Sequence, residues 1–225
     1  ANEKMSNVLI KMTQKSFGCI GIIDSSKKLI GIITDGDLRR SMNKEIINTV
    51  IRNRKSIYPK DYSGEEIPDQ VIKEILLNAN HAPTHRLTQP WFFKVYKNES
   101  KQKLIDIVNK IDESKLSQIK LSKFIQKVND SNAIISIFLN RDEKERLPEW
   151  EEIAAVSMSV QNMWLTCYAN NIGSYWSTPS FLKEYGELIN LAENETSLGF
   201  FFMGVYDHKE SPKLRDDITT KVEWV

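Results

Sequence analysis

The segment from Glu149 to Asn170 most constrains how this chain can fold. Its apolar residues recur at intervals of three and four, a spacing that predicts one long helix with a broad apolar stripe. The stripe consists of Ile153, Val156, Val160, Met163, Trp164, Cys167 and Tyr168. Because so wide a stripe must be covered on most sides, we expect the helix to lie between other layers of structure.

Predicted helices and strands alternate along the rest of the chain. We predict strands at Trp91–Lys97, Asn132–Asn140, Gly173–Trp176 and Leu198–Tyr206, and helices at Met42–Asn53, Asp69–Asn80, Ser100–Ser114 and Phe181–Leu191. Between them, Leu116–Asn129 is polar and rich in lysine, with weak helical character. The alternation predicts an α+β or an α/β domain, and periodicity alone does not choose between these two classes.

Two short isoleucine-rich strands are predicted near the start of the chain. Cys19–Ile23 and Leu29–Thr34 are joined by a turn-like polar stretch, a pattern typical of a β-hairpin. A helix is predicted before the hairpin, over Ser6–Lys15, and Asp37 lies in a stretch suited to capping a helix after it. A small separate unit therefore precedes the rest of the chain.

Composition excludes several classes of function. The 31 basic and 30 acidic residues give a net charge of +1, which provides no field to hold nucleic acid. No apolar run approaches the roughly 20 residues that span a bilayer, and no signal-peptide pattern opens the chain, so we expect a cytoplasmic protein without membrane contact. Cys19 and Cys167 are far apart, and Pro83 separates His81 from His85, so we expect neither a disulfide nor a metal site.

Four motifs occur in order after the first unit. They are Asn53-Arg54-Lys55-Ser56, Ala82-Pro83-Thr84-His85, Gln89-Pro90-Trp91 and Gly173-x-x-Trp176-Ser177. Together, from about Met42 to Val225, they resemble the nitroreductase family, and its compact members most of all. The resemblance implies an α+β fold of three layers, α/β/α, with an antiparallel central sheet flanked by helices. It also implies FMN as cofactor and a homodimer with the flavin at the interface, which would cover the wide stripe; a simple monomer core is the alternative.

The first motif is the one in which the resemblance implies a phosphate site. FMN carries a dianionic phosphate, for which Arg54 and Lys55 offer charged donors and Ser56 a hydroxyl. The alternative interpretation is structural, because a basic pair at the end of a helix also complements the helix dipole. The other three motifs favour the cofactor role.

The resemblance implies further cofactor contacts. They are His81, His85 and Gln89 beside the flavin, Trp176, Ser177 and Thr178 along the isoalloxazine ring, and Lys213 and Arg215 as C-terminal phosphate ligands. A solvated surface role is an equal alternative for the last two, and Trp91 is better suited to the core than to the cofactor. Leu87 departs from the family, in which many members have an asparagine that meets the flavin at this position.

The first unit resembles the second half of a CBS motif, in the version found at the end of arabinose 5-phosphate isomerases. The matching stretches are Gly21–Asp24 and Gly31–Arg40. The resemblance implies a half-CBS, βαβ-like appendage over residues 1–41, followed by the FMN-binding domain over residues 42–225. It would place Thr34 and Asp37 on the phosphate and ribose of an adenosine ligand. Half of the usual cleft is absent, so a role in packing or dimerisation is the other interpretation.

The leading functional prediction is an oxidoreductase in which FMN, rather than a side chain, carries the chemistry. Hydride from NADH or NADPH would pass to the flavin and then to a small electrophilic acceptor, such as a nitroaromatic or a quinone, in a ping-pong mechanism. One alternative is a reductase dedicated to a single metabolite, since fold and cofactor do not determine the substrate. Another is a regulatory module that senses adenine nucleotides and is fused to a flavin-binding domain.

Overall fold

The structure, a computed structural model, describes residues 19–34, 45–207 and 215–225 of the chain. The chain divides into two compact units, Ala1–Arg52 and Asn53–Val225. The predicted boundary between residues 41 and 42 therefore lies within the first unit. Asp37 and Lys213, two of the predicted ligand-binding residues, lie outside the described residues.

The first unit contains the predicted hairpin. Strands β1 (Cys19–Ile23) and β2 (Leu29–Thr34) pair antiparallel and have the predicted bounds. The Asp24 carboxylate closes the turn between them by accepting hydrogen bonds from the backbone N–H groups of Ser26 and Lys28, both at 2.9 Å. The hairpin prediction is confirmed, whereas its assignment to a CBS motif stays a prediction. Residues 45–53 are helical (α1), within the helix predicted for Met42–Asn53.

The second unit alternates helices with the strands of one sheet. The helices are α2 (Asp69–Ala79), α3 (Ser100–Val108), α4 (Gln118–Asp130), α5 (Glu149–Ala169) and α6 (Leu182–Leu188). The strands are β3 (Trp91–Lys97), β4 (Ala133–Asn140), β5 (Ile172–Ser177) and β6 (Glu195–Val205). Short 3-10 turns lie at Pro59–Asp61, His85–Leu87 and Ile218–Lys221.

The four strands form an antiparallel sheet in the order β3-β4-β6-β5, with a layer of helices on each face. Alternate residues of β4 and β6 enter two separate cores, because successive side chains of a strand point to opposite faces. One core joins Ile134 and Phe202 to α3, α4 and α6, and the other joins Ile135 and Phe201 to α2 and α5. The predicted α+β fold of three layers, with its antiparallel sheet, is confirmed.

Two helices on one face differ from their predictions. Helix α3 ends at Val108 rather than at Ser114, and the lysine-rich stretch that follows it forms a complete helix, α4. The apolar residues of α4 are few, but Leu121, Phe124 and Val128 share one face and are buried. A narrow apolar face is sufficient because the helix covers only one side of the core.

A buried carboxylate anchors the first turn of α5. The side chain of Glu152 is fully buried, and it accepts hydrogen bonds from the Arg141 Nε atom (3.1 Å) and from the backbone N–H of Asp142 (2.9 Å). The hydrogen bond that Arg141 donates to Glu152 is also the main reason why the pKa of Arg141 is raised. Negative charge at this end of the helix complements the helix dipole. Glu152 therefore ties the loop after β4 to the start of α5.

We expect Glu152→Gln to lower the free energy of unfolding by about 1–2 kcal/mol, because a neutral amide cannot pair with the Arg141 guanidinium. Urea unfolding would measure the change. Glu149→Gln is the matched control, since Glu149 lies exposed in the same helical turn and should change stability by less than about 0.5 kcal/mol. Equal losses in the two variants would contradict the anchoring role.

No helix among the described residues combines the length and the apolar character that crossing a membrane requires.

Candidate functional site

The segment that carries the first motif runs along the outer edge of β5. The backbone N–H of Ile57 donates to the carbonyl oxygen of Ser174 at 3.1 Å, and the indole Nε1 of Trp164 donates to the same oxygen at 3.0 Å. The backbone N–H of Ser63 then donates to the carbonyl of Val205 at 2.7 Å. These contacts attach the segment to the sheet and hold it beside the tryptophan of α5.

Tyr62 fixes the same segment from the opposite face of the sheet. Gly173 and Gly204 are paired directly across β5 and β6, and the Tyr62 ring occupies the space that their missing side chains leave. The Tyr62 hydroxyl lies 3.0 Å from the carbonyl oxygen of Ile57 and 3.2 Å from that of Phe202. Burial raises the pKa of Tyr62 well above its usual value, so the hydroxyl remains a donor.

This attachment leaves Arg54 with an unused donor. The Arg54 guanidinium lies over the Trp164 ring, 4.6 Å from its centroid, while its Nε atom is buried without a hydrogen-bond partner among the described residues. Its pKa is lowered, first by burial and then by the nearby positive charge of Arg215. A buried unpaired donor beside a second guanidinium is costly unless an anion joins the two. The arrangement suits a phosphate, which two guanidiniums bind well.

Lys55 and Ser56, the other residues of the first motif, lie in different surroundings. Lys55 lines a cavity of about 310 Å³ together with Asp61, Tyr206 and Asp207. Two carboxylates in that lining make it a poor place for a phosphate. Ser56 is exposed. Within the predicted clamp, the local geometry therefore favours Arg54 over Lys55.

The loop between α2 and β3 carries the two histidines. His85 is 60% exposed, and its Nδ1 atom lies 2.8 Å from the Glu151 Oε2 atom in the first turn of α5. His81 is exposed just after the end of α2. The structure thus places His85, but not His81, in a contact with α5 that orients its ring.

Backbone strain is concentrated in this loop. Arg86, Leu87 and Gln89 have φ values of 51°, 53° and 45°, in the left-handed region that residues with a side chain rarely adopt. The backbone N–H of Gln89 donates to the Thr84 hydroxyl at 3.0 Å, which closes the loop. Strain of this kind tends to accumulate at ligand-binding sites. Leu87, the departure from the family pattern, is 78% exposed on the same loop.

Trp91 belongs to the framework rather than to the loop surface. It is packed against the core formed by α2 and α5, and its Nε1 atom donates to the Asn80 Oδ1 atom at 3.0 Å. This agrees with the prediction that Trp91 is a core residue. Gln89 is exposed next to it.

The predicted cofactor contacts at the end of β5 point to opposite sides of the sheet. Trp176 packs toward α2 and α5 and donates through Nε1 to the carbonyl of Leu198 at 2.9 Å. Ser177 lines a cavity on the α4 side, and Thr178 is exposed. Gly199, at φ +124°, lets β6 pass close to the backbone of Ser177, where any Cβ would collide with the Ser177 carbonyl oxygen. The conformation of this segment therefore depends on a glycine in the neighbouring strand.

The candidate residues form two groups at different points along α5. Arg54 lies over Trp164, whereas His85 contacts Glu151, and the rise of 1.5 Å per residue separates these two points by about 20 Å. Arg215 belongs with Arg54, whose charge it affects. One chain therefore does not bring Arg54 and His85 to the same point.

Two residues of the site were not predicted. Trp164 was assigned only to the apolar stripe, yet its ring supports Arg54 and its indole N–H holds the edge of β5. Glu151 was not singled out, because nothing in the sequence joins it to His85 across the intervening residues. Thr34, a predicted adenosine contact, ends β2 in the first unit. No cluster of metal-binding side chains occurs in the part of the chain that the structure describes.

Known proteins share this architecture. The Bacillus subtilis protein YfhC, named as an NAD(P)H nitroreductase, is 28% identical over 179 residues, which cover 77% of this chain and 91% of YfhC. A nitroreductase-like protein of Bacillus cereus superposes with a TM-score of 0.70 at 25% identity, covering 80% of this chain and 95% of its own. A nitroreductase of Desulfovibrio desulfuricans in complex with FMN superposes with a TM-score of 0.61 at 22% identity, covering 80% and 96%.

A shorter similarity concerns a different kind of protein. The arabinose 5-phosphate isomerase KdsD of Pseudomonas aeruginosa is 30% identical over 71 residues, which amount to 31% of this chain and 22% of the isomerase. The sequence model of the Nitroreductase family, by contrast, matches residues 51–205, which include the sheet and the helices on both of its faces. This chain belongs to the Nitroreductase family and is an oxidoreductase of that type.

Proposed function

We propose that the chain is an FMN-dependent reductase that draws hydride from NADH or NADPH and reduces small electrophilic acceptors, such as nitroaromatics or quinones, in alternating half-reactions. Bound FMN supplies the redox chemistry, accepting hydride from the nicotinamide and delivering it to the acceptor. The protein's tasks are to hold the phosphate, orient the ring and admit the two substrates in turn. A dedicated metabolite acceptor is compatible with the same site.

The observation that carries this proposal is the buried Nε atom of Arg54, which has no hydrogen-bond partner among the described residues and lies near enough to Arg215 for the two charges to interact. Two neighbouring positive charges, one of them partly buried, bind a phosphate dianion more strongly than a surface lysine does. Trp164 supports the Arg54 guanidinium from below by a cation–π contact. The anion site is thus oriented before the cofactor binds, which reduces the entropy lost on binding.

His85 supplies the second element of the proposed site. Its Nδ1 atom is engaged by the Glu151 carboxylate, which fixes the ring and leaves Nε2 available for a flavin or substrate oxygen. The strained loop around Arg86 presents this histidine at the protein surface. We infer that His85 contacts the cofactor or the acceptor and that Glu151 positions it.

The proposal includes a homodimer in which each flavin contacts both subunits. Arg54 and His85 contact α5 at Trp164 and Glu151, which are about 20 Å apart along the helix, so two chains packed against each other could bring Arg54 of one chain and His85 of the other to a single cofactor. Helix α5 also exposes apolar side chains that a partner would cover, with Trp150 68%, Ile153 37% and Met158 39% exposed.

Mixing subunits would test this shared site. We expect Arg54→Ala and His85→Ala to be inactive alone but to recover part of the activity when they are unfolded and refolded together, because a mixed dimer contains one intact site. Sedimentation equilibrium would report the subunit count of each preparation. A monomer, or a mixture that stays inactive, would remove the dimer from the proposal while leaving the cofactor assignment to be judged separately.

Spectroscopy tests the cofactor and the reaction directly. The purified chain, reconstituted with FMN, should be yellow, lose its visible absorbance under anaerobic NADH or NADPH, and recover it when an acceptor such as a quinone is added. Stopped-flow measurement of the two steps would show whether they alternate. A colourless protein that cannot retain FMN would refute the proposed function.

A second candidate function rests on the first unit, whose hairpin has the predicted bounds. In this alternative the unit senses an adenine nucleotide, and Thr34 would contact its phosphate or ribose. Calorimetric titration with AMP and ATP distinguishes the two. Nucleotide binding that survives Arg54→Ala and is lost in Thr34→Ala would support the sensing role, and the absence of binding would reject it.

A further inference from the structure

A second cavity lies on the α4 side of the sheet, between α4 and the loop that follows β5. Its volume is about 340 Å³, within the range of small-molecule sites, and its lining includes three lysines, two serines and two phenylalanines. The sidedness of β5 separates the cavity from the α2–α5 side, toward which Trp176 packs. The proposed function does not use this cavity, apart from Ser177, which has its side chain here.

The charge of the cavity is positive and uncompensated. Lys120, Lys123 and Lys127 are three and four residues apart on α4, a spacing that places them on one face of the helix. The lining contains no acidic residue, and none of the three lysines has an ion-pair partner among the described residues. Like charges at this spacing disfavour a helix slightly, and a bound anion would remove that cost.

The floor of the cavity is apolar and includes two phenylalanines. Phe124 and Phe181 are 4% and 2% exposed, and their rings meet edge to face at 5.1 Å. Lys127 is held at one side, with its Nζ atom 5.6 Å from the centroid of the Tyr175 ring. Ser177 and Ser180 add hydroxyl groups to the lining. A flat ring packed on the floor could therefore carry its charged group to the lysines and the hydroxyls.

We propose that this cavity is a second ligand site, which binds a small phosphate monoester carrying a flat ring. Three lysines match the double negative charge of a phosphate better than the single charge of a carboxylate. The apolar part of the lining, formed by Leu116, Phe124, Pro179 and Phe181, offers an apolar contact that inorganic phosphate cannot use. An occupant of the cavity would contact Ser177, which follows Trp176 in the chain. Its binding would therefore change the conformation or contacts of the segment at the candidate flavin site.

Calorimetric titration of the full chain, loaded with one equivalent of FMN and freed of excess flavin, would test the proposal with phenyl phosphate, inorganic phosphate and phenol as probes. We expect phenyl phosphate to bind at least tenfold more tightly than either of the other two, because only it uses both the lysines and the floor. The bound FMN keeps the probe from the Arg54 site, and removal of the excess keeps FMN, itself a phosphate monoester with a flat ring, from the cavity. No binding of phenyl phosphate, or equal binding of phenyl phosphate and inorganic phosphate, would overturn the proposal.

Substitution of the lysines assigns the binding to this cavity. The triple variant Lys120→Gln, Lys123→Gln, Lys127→Gln should weaken phenyl phosphate binding at least tenfold. It should retain FMN as the unaltered chain does, which separates this test from that of the proposed function. Equal binding by the variant and the unaltered chain would overturn the proposal.

A charge-matched control removes three lysines elsewhere. Lys73, Lys103 and Lys110 are exposed and do not line the cavity, so their replacement by glutamine should leave phenyl phosphate binding within twofold. Ser180→Trp, which fills the cavity without changing its charge, should abolish binding. If the control weakens binding as much as the α4 variant, the attraction is general to the surface and the site does not exist.

Discussion

Replacing Arg54 by alanine is expected to raise the dissociation constant for FMN by about a hundredfold or more, equivalent to roughly 3 kcal/mol. The variant loses a guanidinium that is partly buried, lies over the Trp164 ring and has an Nε atom without a hydrogen-bond partner in the part of the chain that the structure describes. The phosphate then loses one of its two guanidinium partners and keeps Arg215. Titration of the cofactor-free protein, followed by the change in flavin fluorescence, would measure the loss.

Three comparison variants define what Arg54 contributes. Arg52→Ala removes an equal charge from an exposed position and should change the dissociation constant by less than threefold. Arg54→Lys keeps the charge but not the planar fork, and should lie between the two. Lys213→Ala should weaken retention far less than Arg54→Ala. Equal losses in Arg54→Ala and Lys213→Ala would contradict this ranking of the phosphate ligands.

Gly204→Ala is expected to cost about 3 kcal/mol of folding stability, at the upper end of overpacking effects. The added Cβ would collide with the Tyr62 ring, which cannot move aside because its hydroxyl is held at the carbonyls of Ile57 and Phe202. Displacing Tyr62 would also loosen the segment that carries Arg54. Chemical denaturation would measure stability, and FMN retention would report the effect on the site.

A double-mutant cycle would confirm this cause. In a chain that already carries Tyr62→Ala, the Gly204→Ala substitution should cost less than about 1 kcal/mol, because the colliding ring is gone. Gly186→Ala is the control, since its Cβ would meet only the flexible end of Leu191 at 3.0 Å, inside a helix that favours alanine. Equal costs of Gly204→Ala in both backgrounds would exclude the ring as the cause.

Local periodicity predicted most of the fold because its signals lie within single elements. The wide apolar stripe of α5 and the apolar run of β4 indicated that these elements are buried. The bounds of both hairpin strands were predicted to the residue. Helix α4 was underestimated because only three of its side chains are buried and most of the others are lysines or polar residues. Sequence patterns of this kind are informative in proportion to the apolar surface that an element buries.

The site was harder to predict than the fold because its contacts join distant residues. Arg54 was identified through its motif, but its support by Trp164 depends on how the edge of β5 is covered. Lys55, the next residue, instead lines a cavity together with carboxylates. The motif gives both residues the same role and therefore does not predict their different surroundings. The contact of His85 with Glu151 joins a loop to a helix that lies 66 residues further along the chain. The two residue types alone do not predict that they meet.

The two outer strands of the sheet are protected in different ways. The outer edge of β5 is covered by the segment around Ile57, whereas β3 has no strand beyond it among the described residues. An uncovered edge is a template for main-chain pairing with another polypeptide, and a lysine on it, here Lys94, weakens such pairing. Within this sheet, unwanted main-chain pairing with another polypeptide would therefore begin at β3 rather than at β5, and Lys94→Val should make β3 more prone to it.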